Sequence, residues 1–125
     1  MVEACERYYY PDLTLTCGAP VFETKQGLKS LVNPTVIFEV LSPATEMIDR
    51  GEKFECYQEI ATLFAYVLIA QHTAQIEIWI RDAGDIWRYQ QATELEAEVV
   101  LSIANCTLRL ADIYENVVFP GQPNV

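Results

Sequence analysis

Three residues of this chain have the types and positions that hydrolytic chemistry needs: Asp12, Glu39 and Lys53. Glu39 sits inside Thr35-Val36-Ile37-Phe38-Glu39-Val40-Leu41, the most apolar strand-like run in the sequence. An ionised carboxylate buried there without a partner is costly. Two readings follow. Glu39 is either ion-paired with a lysine or arginine from a neighbouring element, or it is a metal ligand or catalytic acid near the strand's C-terminal end. Asp12 follows Pro11 and opens an alternating run; taken alone, it also reads as a turn residue. Lys53 lies four residues after Asp49 and four before Tyr57, so each pair shares a helix face. It can pair with Asp49 in solvent or point back across the Ser42–Thr45 turn toward Glu39. Two carboxylates on adjacent strands suit a hard divalent cation such as Mg²⁺, which prefers oxygen ligands and retains waters. A lysine beside them would position or help deprotonate an attacking water and stabilise charge on a phosphate. Together the set proposes metal-assisted phosphodiester hydrolysis.

The elements that must position these residues are legible in outline. From Asp12 the pattern alternates, with Leu13, Leu15 and Cys17 on one side, which is the period of a half-buried strand. Gly18-Ala19-Pro20 ends it. Residues 21–35 read as a loop with room for one short strand. The 35–41 run is apolar on both faces and so predicts a strand covered on both sides. A helix is predicted from Thr45 or Asp49 to about Ala61, with Thr45 as a candidate cap and acids in its first turns. Strands are predicted at 65–70, 75–80, 85–91, 98–103 and 106–110, then a helical turn over 111–117 and a Pro-Gly-Gln-Pro tail. Asp82-Ala83-Gly84-Asp85 is a hairpin turn. One helix in a mostly β chain is α+β: a mixed sheet, one main helix and a C-terminal antiparallel meander. One helix covers only one face of the 35–41 strand. The other cover must come from a preceding helix, a partner, or the C-terminal part.

The 125 residues fit a single domain. The net charge of −10 weighs against a partner held by broad electrostatics, nucleic acid above all. There is no basic, apolar leader at the start and no apolar run long enough to span a bilayer. The expectation is a soluble, cytoplasmic chain. Cys5, Cys17, Cys56 and Cys106 contain no C-x-x-C pair, and His72 is the one histidine, so zinc is not expected. The four cysteines read as reduced, mostly buried small hydrophobes. Trp79, Trp87 and Tyr89 lie on one predicted hairpin. They form either an aromatic dimer surface or the cap of a core.

Three strings carry a family resemblance: YYYPDLTLTCG, then NPTVIFEVLSPATEMIDRGEKFECYQEIATLFAYVLIAQ, then LRLADIYENV. Over residues 8–118 the chain resembles the Uma2 family, restriction-endonuclease-like proteins of the PD-(D/E)XK nuclease superfamily that are numerous in cyanobacteria. The resemblance implies a restriction endonuclease-like fold and a DNA phosphodiester as substrate. Pro11-Asp12 matches the superfamily's first element and Glu39 the acid of its second. The motif's lysine position is Leu41 here, and Lys53 is the matching lysine, moved to the following helix. By this resemblance Asp12 and Glu39 hold Mg²⁺ or Mn²⁺ and Lys53 is catalytic. Ser42, Asp49 and Tyr57 stand in the family signature as supporting residues. Family members begin with a helix and a first strand that precede the Asp12 strand. The expectation is therefore one N-terminally truncated domain over 1–125. The alternative function is an inactive remnant or a protein-interaction module.

Overall fold

Residues 1–119 are described by the computed structural model, so the 120–123 tail lies outside the described residues. The N-terminal third supplies β1 (Val2–Ala4), β2 (Arg7–Tyr9), β3 (Leu13–Leu15), β4 (Phe22–Lys25) and β5 (Leu28–Leu31). Next come β6 (Val36–Val40), two short helices α1 (Glu46–Arg50) and α2 (Glu52–Tyr57), and β7 (Ala65–Ile69). The rest is β8 (Ile76–Asp82), β9 (Ile86–Ala92), β10 (Glu98–Leu101), β11 (Cys106–Arg109) and α3 (Leu110–Ile113). The fold is α+β. Its main sheet has the order β3-β6-β7-β8-β9, with β6 and β7 parallel and the other pairs antiparallel.

The runs 36–40, Glu39 apart, and 65–69 are apolar because they lie at the centre of this sheet with its faces covered. On one face Val36, Phe38, Val67 and Ile78 pack under Val99 and Leu101 of β10 and Leu110 of α3. On the other, Ile37, Tyr66 and Leu68 pack under Phe54 and Tyr57 of α2, with Val2, Ala4 and Tyr9 beyond. The second cover that the sequence demanded is thus the C-terminal β10–β11 hairpin with α3. β8 alternates as predicted: Ile76, Ile78 and Ile80 join the first core, while Glu77 and Trp79 face the helix side.

Three expectations need correction. The single predicted helix is broken at Gly51 (φ −105°, ψ −92°), where a Cβ would meet the Met47 carbonyl oxygen at 3.1 Å. It ends at Tyr57, short of Ala61. Residues 21–35, read as a loop with room for one short strand, hold both β4 and β5, which join β1 and β2 in a second sheet of order β2-β1-β5-β4. Its strands are three or four residues long, too short for a period to show. Both of its hairpins turn on paired residues with positive φ: Cys5 (53°) with Glu6 (58°), and Gln26 (51°) with Gly27 (80°). Lastly, Cys5 and Cys56 form a disulfide, with Cα atoms 5.3 Å apart, while Cys17 and Cys106 are free. A pairing across 51 residues is set by the fold, which lays the β1–β2 turn on α2. Spacing in the sequence does not show it.

Several contacts fix α2 in place. The Phe54 ring stacks on Tyr66 at 5.4 Å and is flanked by Trp79 and Trp87. Arg81 of β8 donates to the carbonyls of Gln58 (2.8 Å) and Ile60 (3.0 Å), just past the helix end, where a cation offsets the helix dipole. No helix among the described residues is long and apolar enough to cross a membrane.

Candidate active site

Glu39 is 3% exposed and sits near the C-terminal end of β6, on the face that looks toward α2. Its environment is set by alternation. Ile37 and Leu41 share its face, and Leu68 is its partner on β7. Two side chains from α2 reach it. Lys53 Nζ lies 3.6 Å from Oε2, and the Tyr57 hydroxyl donates to Oε1 at 3.4 Å. Lys53 points back to Glu39 and also lies 2.8 Å from Asp49 Oδ1, but that second pair is largely buried and not in solvent as the alternative reading had it.

Asp49 is itself buried, 1% exposed. Its Oδ2 accepts from the Thr45 hydroxyl at 3.0 Å, and the Thr45 hydroxyl pairs with Ser42 Oγ at 2.8 Å. No aligned hydrogen bond reaches Oδ1 among the described residues, so the Lys53 charge is its compensation. Thr45 stands in the cap position of α1, but its hydroxyl serves Asp49 and makes no cap bond. The backbone at Asp49 is held as well, since the Tyr66 hydroxyl donates to its carbonyl at 2.8 Å. The result is a continuous polar path Ser42–Thr45–Asp49–Lys53–Glu39–Tyr57 through an otherwise apolar layer.

Asp12 arrives from the other side. The β3–β6 register pairs Leu13 with Phe38, so one further step sets Asp12 opposite Glu39. Asp12 Oδ2 accepts from the Val40 backbone N–H at 2.7 Å, replacing a ladder bond at the strand edge. The side chain is exposed, in contrast to Glu39.

Burial pushes the Glu39 carboxyl up to about 7, against the pull of Lys53 and with help from the Asp49 and Asp12 charges. Burial works against the Lys53 charge, but the bond to Asp49 and the charges of Glu39 and Asp49 outweigh it and hold the ammonium above its ordinary value. Burial, with Glu39 beside it, also raises the Tyr57 hydroxyl, so it stays a hydrogen-bond donor.

All six residues singled out by the sequence lie on this path or at its edge: Asp12, Glu39, Lys53, Ser42, Asp49 and Tyr57. Sequence reasoning missed Thr45 as a side-chain donor and Tyr66 altogether. The signal for Tyr66 was a hydroxyl inside the apolar run 65–70, two residues before Glu39's partner Leu68 and on the same face. A third buried acid, Glu77, lies apart from the path. It is held by Arg50 at 2.5 Å and by the Tyr89 hydroxyl at 2.6 Å, which reads as a satisfied ion pair.

Among the described residues, no three His, Cys, Asp or Glu side chains are grouped so as to hold a metal. Two hard oxygen donors at a strand end still suit a cation that binds through one or two carboxylates and keeps its waters. The donor set fits Mg²⁺ or Mn²⁺ on that basis.

The site thus joins a strand-borne carboxylate, a second acid across the register and a lysine from the following helix. The Uma2 family model, described as "Putative restriction endonuclease", matches residues 3–111. The chain belongs to the Uma2 family. It is similar to the uncharacterized protein slr1290 of a Synechocystis species, 32% identical over 76% of this chain and 50% of that one. It is also similar to the uncharacterized protein sll1609 of the same organism, 31% identical over 78% of this chain and 54% of that one. The chain spans about half the length of these relatives.

Proposed function

We propose that this chain carries the site of a Mg²⁺- or Mn²⁺-dependent endonuclease that hydrolyses DNA phosphodiester bonds. The observation that carries the reading is Glu39, buried at the end of β6 with Lys53 3.6 Å away and Asp12 bonded to the adjacent Val40 N–H. Asp12 and Glu39 would hold the cation. When bound, it would polarise the phosphate and lower the pKa of a water. Lys53 is kept charged by its two carboxylates, which favours stabilising negative charge on phosphate over removing a proton. Asp49 positions that ammonium, and Thr45 and Ser42 position Asp49. Tyr57 donates to Glu39 and fixes its orientation.

Plasmid cleavage in Mg²⁺ tests the reading. The wild type nicks the plasmid, while Glu39→Ala and Lys53→Met, each folded by circular dichroism, do not. Equal nicking by wild type and both variants assigns the activity to a contaminant. Absence of nicking by the wild type, with cation binding intact, leaves an inactive nuclease fold that serves as an interaction module.

A homodimer forms part of the same proposal. Trp79 and Trp87 are spent on Phe54 within the chain, so the available surface is Ile86 and Tyr89, which are exposed on the β8–β9 hairpin. Sedimentation as a monomer at high concentration removes that part.

A further inference from the structure

The Cys5–Cys56 disulfide lies where it can act on the helix that bears Lys53 and Tyr57. Cys56 is in α2, next to Tyr57, and is buried; Cys5 is exposed in the β1–β2 turn. The same hairpin makes further contacts with α2. Tyr9 meets Tyr57 edge-on at 5.4 Å, the Tyr9 hydroxyl donates to Glu52 at 3.2 Å, and Arg7 pairs with Glu52. The hairpin is therefore the outer cover of α2, and the disulfide is its one covalent tie. Cys5 also forms part of the wall of a 330 Å³ cavity shared with Glu3, Glu6, Glu23 and Glu59. A Glu59 carboxylate oxygen lies 3.4 Å from Cys5 Sγ. Lys25 offsets part of this charge, 3.0 Å from Glu3 and 3.6 Å from Glu23. On the buried side, the Tyr9 hydroxyl points at Cys56 Sγ from 3.7 Å.

We propose that Cys5–Cys56 is a thiol-operated latch: a small neutral or cationic thiol attacks Cys5 from the acid-lined cavity and frees the β1–β2 hairpin from α2. The chemistry is ordinary exchange. An incoming thiolate forms a bond to Cys5 Sγ, and the Cys5–Cys56 bond breaks. Cys56 leaves with the electron pair, receives the hydrogen bond that Tyr9 turns from Glu52, and takes a proton from water. A second thiolate then attacks the small-molecule sulfur of the mixed disulfide, and Cys5 leaves with the electron pair and takes a proton from water. This releases the Cys5 thiol and the small-molecule disulfide, so two thiols are oxidised as one protein disulfide is reduced. Exposure selects Cys5 as the sulfur attacked, and the hydroxyl donor selects Cys56 as the leaving group. The surrounding carboxylates slow an anionic thiol such as glutathione relative to cationic cysteamine. This inference does not depend on the nuclease reading, because none of its readouts is cleavage.

The test has two arms on the full chain. The first measures reduction rates with cysteamine and glutathione, each normalised to its rate on a small model disulfide. Cysteamine is expected to be faster by about tenfold at low salt, with the gap closing toward 1 M salt as the charges are screened. Tyr9→Phe slows both reagents. The second arm is hydrogen exchange. On reduction, and equally in Cys5→Ser, amides in Val2–Tyr9 and Glu52–Tyr57 exchange about tenfold faster, while those of β7 and β8 do not change. Three results overturn the latch: no Cys5–Cys56 bond forming in oxidised glutathione, reduction rates indifferent to reagent charge and to Tyr9→Phe, or exchange that is unchanged or accelerates uniformly.

Discussion

Glu39 is buried among apolar neighbours, with Lys53 and Tyr57 as its polar contacts. Its ordinary value is 4.5, and burial with two nearby acids raises it to about 7. Below pH 4.5 the folded and unfolded chains both hold the proton, and the site costs nothing. Between 4.5 and about 7 the unfolded chain releases the proton while the folded chain keeps it, so metal-free stability falls as pH rises. Above about 7 the loss is complete. Glu39→Gln should therefore match the wild type in thermal midpoint near pH 4, exceed it increasingly up to about pH 7 and level off above that, measured in chelator. An advantage that is constant with pH contradicts the burial account. Lys53 gives a complementary expectation. If the ammonium stabilises charge on the reacting phosphate, Lys53→Met lowers the cleavage rate by about a hundredfold or more, the usual cost of losing such a donor. Mn²⁺ affinity should stay within a few-fold of the wild type by calorimetry. Loss of both together would make Lys53 a structural ion pair and nothing more.

At the scale of elements, the polar path depends on the placement of α1 and α2 against β6 and β7. Tyr66 ties α1 to β7 through the Asp49 carbonyl. Tyr66→Phe should cost about 1–2 kcal/mol in urea unfolding, the range for a lost bond to a buried acceptor; no change would show the tie to be idle. The long elements were legible in the sequence. The strand Ile76–Asp82 showed itself by alternation, Val36–Val40 by its continuous apolar run, and the 82–85 turn by Asp and Gly. β1, β2, β4 and β5 were not, because three or four residues cannot establish a period and their pairing is tertiary. Gly51 stood in the middle of a plausible helix and divided it. The site was legible to the extent that an acid interrupts an apolar strand, which drew attention to Glu39. Asp49 was harder. It stands among Glu46, Glu52 and Glu55, which are exposed, and only the fold turns it inward. The Cys5–Cys56 bond was illegible for the same reason.

Across the whole molecule, charge limits how this chain meets DNA. Seven of its eight lysines and arginines pair with carboxylates of the same chain. Among the described residues only Lys29 has no such partner; it lies 4.5 Å over the Phe22 ring. The net charge of −10 is thus not relieved by a basic face. Each neutralised phosphate contributes a slope of about −0.9 in log affinity against log salt. With so few free cations, duplex binding by this chain alone should be weak, with a slope no steeper than about −2 by fluorescence anisotropy. A slope steeper than about −5 would reveal phosphate contacts that these ion pairs do not suggest.

The central claim is that Glu39 and Asp12 hold a divalent cation beside Lys53. The most direct measurement is calorimetric titration of Mn²⁺ into the wild type and Glu39→Ala at about pH 8, where Glu39 is ionised. A single saturable site in the wild type that is lost in the variant is the expected result. Equal binding by the two proteins would contradict the account.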